Sequence, residues 1–483
     1  MQMWTKKLIL ILLLCSICQA AQIIRYVDPD VAAGDSSGDS WENAYVSLFA
    51  WEAAEQTDLD TANNYMTVYC RSSAGTPDTT NCTIDGFTTS ATDYVEIIGA
   101  DFPTDGIYDA TKYVKLNTSE GSSSAILVSD QYIHIRNIQV RTVVSTTAAI
   151  GHGISVIITN SSIDSCIIKG EIASDAGVCV GIALNGANTI IYDSTISGFK
   201  QGLQVTGSVA SAIYNCTFWD CSDIAIYAVD LSITATNCII GRCGFDTYGS
   251  VTVDYCLSEK GTGTNAQVPL GIEAIGSVGG ASPSLGNYTQ LDFSNPATGT
   301  GVITEALVGV ATQMTNAVFG SFYLVSGTTY KCRDSEAIGT IPIGTRLISG
   351  LSINVESGDV IGMYWSTGGY IYYGSGGTAT ASSIGDHSNP DDEAVYNVYG
   401  GQHYALRGYI VDWSDELTDP GTDFSLVVGS NSIGNGTDNP GSGLYSDDII
   451  GTARTSTWDI GAFEYDDNPP PSLGGQVIMI QEF

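Results

Sequence analysis

Arg141, Lys169 and Trp219 each stand four residues beyond the first residue of a short repeated phrase in this 483-residue chain. A guanidinium, an ammonium and an indole in one line suit an elongated acidic or neutral glycan, with the ring lying under a sugar face. Further on, Tyr364-Trp365 and Tyr370-Ile371-Tyr372-Tyr373 bring several aromatics together. Strand alternation sends Tyr370 and Tyr372 to one face and Tyr373 to the other, so part of this set is core and the rest can form a sugar platform. The candidate ligand-binding residues are therefore Arg141, Lys169, Trp219, Trp365, Tyr370 and Tyr372. The competing reading has long polar side chains covering an outer surface and aromatics filling an interior.

The positioning element is the phrase itself. Its copies are Asn137-Ile138-Gln139-Val140, Ser165-Cys166-Ile167-Ile168, Asp193-Ser194-Thr195-Ile196, Asn215-Cys216-Thr217-Phe218, Asn237-Cys238-Ile239-Ile240 and Tyr255-Cys256-Leu257-Ser258, at steps of 28, 28, 22, 22 and 18 residues. Repeats of that length mean a solenoid. The units are runs of Ile, Val, Thr, Ser, Tyr and Cys broken by Gly, Asn and Asp, which are strand residues between turn residues. A coil of about 22 residues holds three short strands, the arithmetic of a right-handed parallel β-helix. Asn137, Asn215 and Asn237 fall at the bends, where Asn accepts the left-handed conformation cheaply. Cys166, Cys216, Cys238 and Cys256 then point inward and stack. Four positions past each bend the column reads Arg141, Lys169, Ser197, Trp219, Gly241.

Lys6-Lys7, the apolar run 8–15 and Cys18-Gln19-Ala20 read as a secretory signal peptide over 1–20. Later segments offer no apolar run long enough for a membrane span. The 52 acidic against 17 basic residues make nucleic acid an unsuitable partner and suit a soluble, acidic exported surface. Cys70 and Cys82 bracket a turn-rich stretch and are candidates for a disulfide in an oxidising compartment. Cys216-x4-Cys221 and Cys238-x4-Cys243 have the number of thiolates that zinc takes, but the 22-residue offset already explains them as a ladder of buried thiols.

The architecture expected is all-β, a β-helix with an N-terminal helical cap and an inserted antiparallel β-sandwich of jelly-roll type. Trp41, Ala44, Leu48 and Trp51 fall at helical spacing behind Ser40 as N-cap, giving a cap with two indoles over the first coil. The cap and coils occupy 21–285. Longer alternating segments with hairpin turns mark the sandwich at 286–410. Coil-like phrases at 411–466 read as a return to the helix with terminal coils and a C-terminal cap, and 467–483 as a Pro-rich linker and tail.

The opening 26–51 and the closing 437–445 with Asp459-Ile460-Gly461-Ala462-Phe463-Glu464-Tyr465 resemble secreted bacterial or phage-associated proteins of the pectin-lyase-like β-helix superfamily. The resemblance implies the fold; the superfamily's activities include lyases, hydrolases, epimerases, tailspikes and adhesins. Gly151-His152-Gly153 is similar to a signature of polygalacturonase-like hydrolases, yet the companion motifs are missing and a lone His cannot supply the two carboxyls of inverting hydrolysis. The alternative is a turn His between two glycines. A lyase would use Ca²⁺ held by Asp or Glu and a basic residue as proton acceptor, with Arg141 and Lys169 as candidates. The reading that results is a secreted glycan-binding surface protein, a β-helix scaffold presenting a carbohydrate-binding sandwich, whose partner is a polysaccharide or cell-surface glycan; the alternatives are a polysaccharide lyase or glycoside hydrolase acting along the β-helix, or a structural adhesin or appendage subunit.

Overall fold

The computed structural model describes residues 20–32, 34–118, 123–145, 151–172, 177–186, 188–207, 211–258, 263–267, 273–277, 282–366, 369–410, 417–419, 422–428, 430–437, 440, 447–454 and 458–465. The leader expected over 1–20 (except Ala20), the tail at 467–483 and most of 437–445 lie outside these residues.

Each coil contributes one short strand to each of three longitudinal faces. Ile133–Arg136, Ser162–Asp164, Ile190–Tyr192 and Ala212–Tyr214 form the first face, paired in parallel and in register. Gln139–Val144, Ile167–Ile172, Thr195–Ser197, Thr217–Trp219, Ile239–Gly241 and Leu257–Ser258 form the second. Gly151–Val156, Val180–Leu184 and Gln201–Val205 belong to the third. The strand Ile224–Thr236 runs through a corner and joins the first and third faces.

Between first and second faces the chain turns through a single left-handed residue. Asn137, Ser165, Asp193, Asn215, Asn237 and Tyr255 have φ of 54°, 49°, 47°, 50°, 56° and 51°. These six positions are the bends read from the repeat. Inside, Ile135, Ile163, Ile191 and Ile213 stack on one side and Val140, Ile168, Ile196, Phe218 and Ile240 on the next, all at most 1% exposed. Burial of each such side chain stabilises the tube by about 1.5–3 kcal/mol. Cys166, Cys216, Cys238 and Cys256 stack behind the bends, each thiol donating to the carbonyl two residues back at 3.1, 3.2, 3.4 and 3.4 Å.

The cap differs in detail from the expectation. Its helix spans Leu48–Glu55 and is capped by Ser47, whose Oγ accepts from Ala50 N at 3.0 Å, not by Ser40. Trp51 is sealed against Phe87 with ring centroids 5.6 Å apart, while Trp41 lies at the surface beneath the Arg71 guanidinium. Cys70 and Cys82 are both free, buried thiols, not a disulfide, each filling the core of the first coils as a small hydrophobe.

The antiparallel insert starts at Glu273–Ser277, earlier than residue 286, and pairs through to Leu406–Ile410. Arg242 of the shaft meets Glu305 of the insert at 2.6 Å. The return to coils at 411–466 does not occur among the described residues. Leu417–Asp419 and Asp423–Leu426 form an antiparallel pair, and this pair packs with Ile449, Ile460 and Phe463 on the outside of the second face. Leu417, Phe424, Leu426, Ile449, Ile460 and Phe463 are as apolar as a strand would be, but they bury against the shaft's flank instead of extending it.

Candidate functional site

The column Arg141, Lys169, Ser197, Trp219, Gly241 exists in register on the second face. Its chemistry is taken up locally. Arg141 makes a two-pronged contact with Glu171, Nη2–Oε2 2.6 Å and Nε–Oε1 2.9 Å, and Lys169 Nζ lies 5.1 Å above the Tyr108 ring. Trp219 is 2% exposed and packs on Phe424 at 5.5 Å, so the C-terminal segment occupies the face a sugar would need. In the insert, Trp365 is fully buried and its Nε1 donates to Gly369 O at 2.8 Å. Tyr370 and Tyr372 are half-buried on the strand Tyr370–Ile384, with Ile371 between them facing the core. Both tryptophans are thus enclosed, and Arg141, Lys169, Tyr370 and Tyr372 line neither of the two cavities described below.

A cavity of about 550 Å³ sits at the bend edge, lined by Arg136, Asp164, Tyr192, Asp193, Asp447 and Asp448 among others. Four carboxylates in one cavity invite a hydrolytic reading. Their partners argue for a seam instead. Asp164 meets Arg136 at 2.9 Å, and Asp193 accepts from Arg454 at 2.7 Å and Asn215 at 3.1 Å. Asp448 accepts the backbone amides of Ile450, Thr452 and Glu464. Burial pushes the Asp193 carboxyl up, and Arg454 holds it back. These groups fasten the C-terminal segment to the shaft.

The third face carries a different kind of cavity, about 520 Å³ and open, lined by Ser123, Ser124, His152, Val178, Gln201, Gln204 and Tyr227. It crosses strands of five successive coils, since Ser124 neighbours His152, His152 neighbours Val180, Val180 neighbours Gln201, and Gln204 neighbours Tyr227. At about 4.8 Å between strands this is a groove roughly 19 Å long. Tyr248, 56% exposed, stacks on Tyr227 with centroids 5.3 Å apart and an angle of 6°. His152 Nδ1 lies 3.0 Å from Ser155 Oγ, to which Ser124 Oγ donates at 2.8 Å. Burial pushes the His152 pKa down, keeping the ring neutral.

His152 is on a strand, not in a turn between two glycines. Gly153 serves packing, as do Gly181 and Gly202 in the same column, because a Cβ there would meet Ile168, Ile196 or Phe218 of the second face at 2.9, 2.5 or 2.8 Å. Among the described residues no group of three or more His, Cys, Asp or Glu side chains is arranged to hold a metal ion. No described helix is long and apolar enough to cross a membrane.

A family model described as a right handed beta helix region matches residues 124–269, the stretch that contains the groove. The shaft is a right-handed parallel β-helix. Among solved structures, pectate lyase Pel9A is similar at 13% identity and a TM-score of 0.35, covering 50% of this chain and 64% of its own length. The tailspike protein of Acinetobacter phage vB_ApiP_P1 is similar at 8% identity and 0.25, covering 78% and 88%. Tailspike protein 2 of the Escherichia coli O157:H7 bacteriophage CAB120 is similar at 11% and 0.22, covering 83% and 72%. No curated protein sequence matches the chain.

Of the groove residues of this β-helix, the sequence flagged only His152. Ser124, Gln201, Gln204, Tyr227 and Tyr248 were missed. The signal is the third-face row Ile126, Ile154, Ile182, Leu203, Ile226: Ser124 and Gln201 lie two positions before it, in the His152 column, and Gln204 and Tyr227 one position after it, with Tyr248 next to Tyr227.

Proposed function

We propose that this protein is exported and binds an extended saccharide along the third face of its β-helix, without hydrolysing it. One observation carries the reading: an open groove spanning five coils whose lining mixes amide, hydroxyl and imidazole groups with a tyrosine backed by an exposed second tyrosine. Sugars ask for that mixture, since their hydroxyls need paired donors and acceptors and their C–H faces pack on aromatic rings. Among the described residues the groove lining contains no carboxylate, which supports binding without the acid and base of glycoside hydrolysis. The leader-like start of the sequence and its excess of acidic residues support an address outside the cytoplasm. The enclosure of Trp365 supports a binding surface on the shaft in preference to the insert.

A glycan array probed with the whole protein tests this. Binding to oligosaccharides that Tyr248→Ala weakens about tenfold supports it; an array with no bound glycan overturns it. Release of reducing ends from a bound polysaccharide would replace it with an enzymatic reading.

A further inference from the structure

We infer that the third-face groove selects an uncharged saccharide over a uronate-containing one; this rests on the groove being the glycan site. Gln201 is the deciding residue. It lines the groove, is only 6% exposed, and its Oε1 has no hydrogen-bond partner. A buried amide oxygen without a donor is an acceptor waiting for one. Its neighbour along the column is Val180, which offers none. The groove is the place from which a donor can come.

A sugar hydroxyl both donates and accepts, so it satisfies this amide in either orientation of its oxygen and nitrogen. A carboxylate only accepts, leaves Oε1 unmet, and brings a charge. That charge would find no counterpart, because among the described residues the lining contains no Lys or Arg, and burial keeps the His152 ring neutral. Partial enclosure of an anion without a cation is unfavourable. The wider field adds to the discrimination, since 52 acidic residues face 17 basic ones and the protein as a whole repels polyanions. The remaining lining groups, Ser124, Gln204 and the His152 ring, are all suited to hydroxyls. Tyr227 supplies the apolar wall.

The test is calorimetric titration of the full chain at physiological salt with neutral hexasaccharides of glucose, mannose and xylose and with hexamers of galacturonate and guluronate. The expected result is binding of at least one neutral hexamer, with both uronate hexamers at least tenfold weaker. Gln201→Leu should weaken the neutral ligand about tenfold at an unchanged unfolding temperature, and exposed Tyr248→Ala should weaken it in a variant certain to tolerate the change. Uronate binding as tight as neutral, and weakened by the same substitutions, would overturn the selectivity while leaving the groove as a glycan site. Neutral binding insensitive to both substitutions would overturn the groove and leave glycan binding elsewhere on the molecule. Binding of neither class would overturn both readings.

Discussion

Asn237 stacks one coil beyond Asn215, its Nδ2 donating to Asn215 Oδ1 at 3.1 Å, and the same side chain holds Thr437 by both ends, Nδ2 to Thr437 O at 2.9 Å and Thr437 N to Oδ1 at 2.8 Å. One buried amide thus serves the bend, the ladder and the anchoring of the C-terminal segment. Asn237→Ala should cost about 2–5 kcal/mol, from a left-handed Ala (roughly 1–2 kcal/mol) and a backbone pair left without its partner (roughly 1–3 kcal/mol). Asn237→Gly relieves the first term and should be about 1 kcal/mol milder. Chemical denaturation gives the ranking, and hydrogen exchange should rise around 430–437 in both variants. Equal stability of Ala and Gly at this position would refute the account of the bend.

Lys115 occupies an interior column, paired with Val140, and its Nζ lies 2.9 Å from Asp78 Oδ1 with both side chains fully enclosed. Asp78 also accepts from Tyr113 Oη at 2.9 Å and Leu48 N at 2.8 Å, so the pair ties the cap helix to the first coils. Lys115→Met keeps the volume and strands the carboxylate. The loss should be about 3–5 kcal/mol, because an uncompensated buried charge costs more than the pair contributes. A midpoint of denaturation close to that of the wild type would show that water reaches Asp78.

Trp219 lies under Phe424, in a cluster with Ile239, Leu257, Ile460 and Phe463. Trp219→Ala should cost about 3–5 kcal/mol and open 417–426 to proteolysis, with glycan affinity unchanged. An affinity loss with stability intact would restore Trp219 to the ligand surface.

The second-face column was legible because the bend phrase sets its own register: once Asn137 and Ser165 are bends, Arg141 and Lys169 must be neighbours. What covers that column was not legible, since the contact of Trp219 with Phe424 joins segments with no common period. The groove was hidden for another reason. Six residues separate Val144 from Gly151, seven separate Ile172 from Val180 and three separate Ser197 from Gln201, so variable connections shift the third-face strands against the phrase. His152 and Gln201 come into one column only after those lengths are known. The C-terminal segment was read as coils because its apolar residues are spaced like strand residues, and burial against a flank asks for the same pattern as burial in a tube.

His152 gives the groove a pH dependence whose sign follows from its burial. Desolvation holds its folded pKa below the usual 6.5, so between the two values the unfolded chain binds more protons than the folded one. The stabilising contribution of the neutral ring is therefore complete above about pH 6.5 and is lost as pH falls toward the folded pKa, at no more than about 1.4 kcal/mol per pH unit. His134, also pushed down by burial and then by Arg136, acts in the same direction. Buried carboxyls such as Asp164, pushed up by desolvation, act in the opposite direction, so the total pH profile is not diagnostic. The difference between wild type and His152→Gln is, because the other groups cancel in it. That difference in unfolding free energy should shrink as pH is lowered from 7 to 5, and nuclear magnetic resonance titration should place the His152 ring below 6.5. A flat difference would mean that burial leaves the ring unshifted, and one that grows on acidification would mean that the folded chain holds the ring's proton more tightly than the unfolded one; in the latter case an uncharged groove could not be the basis for rejecting uronates.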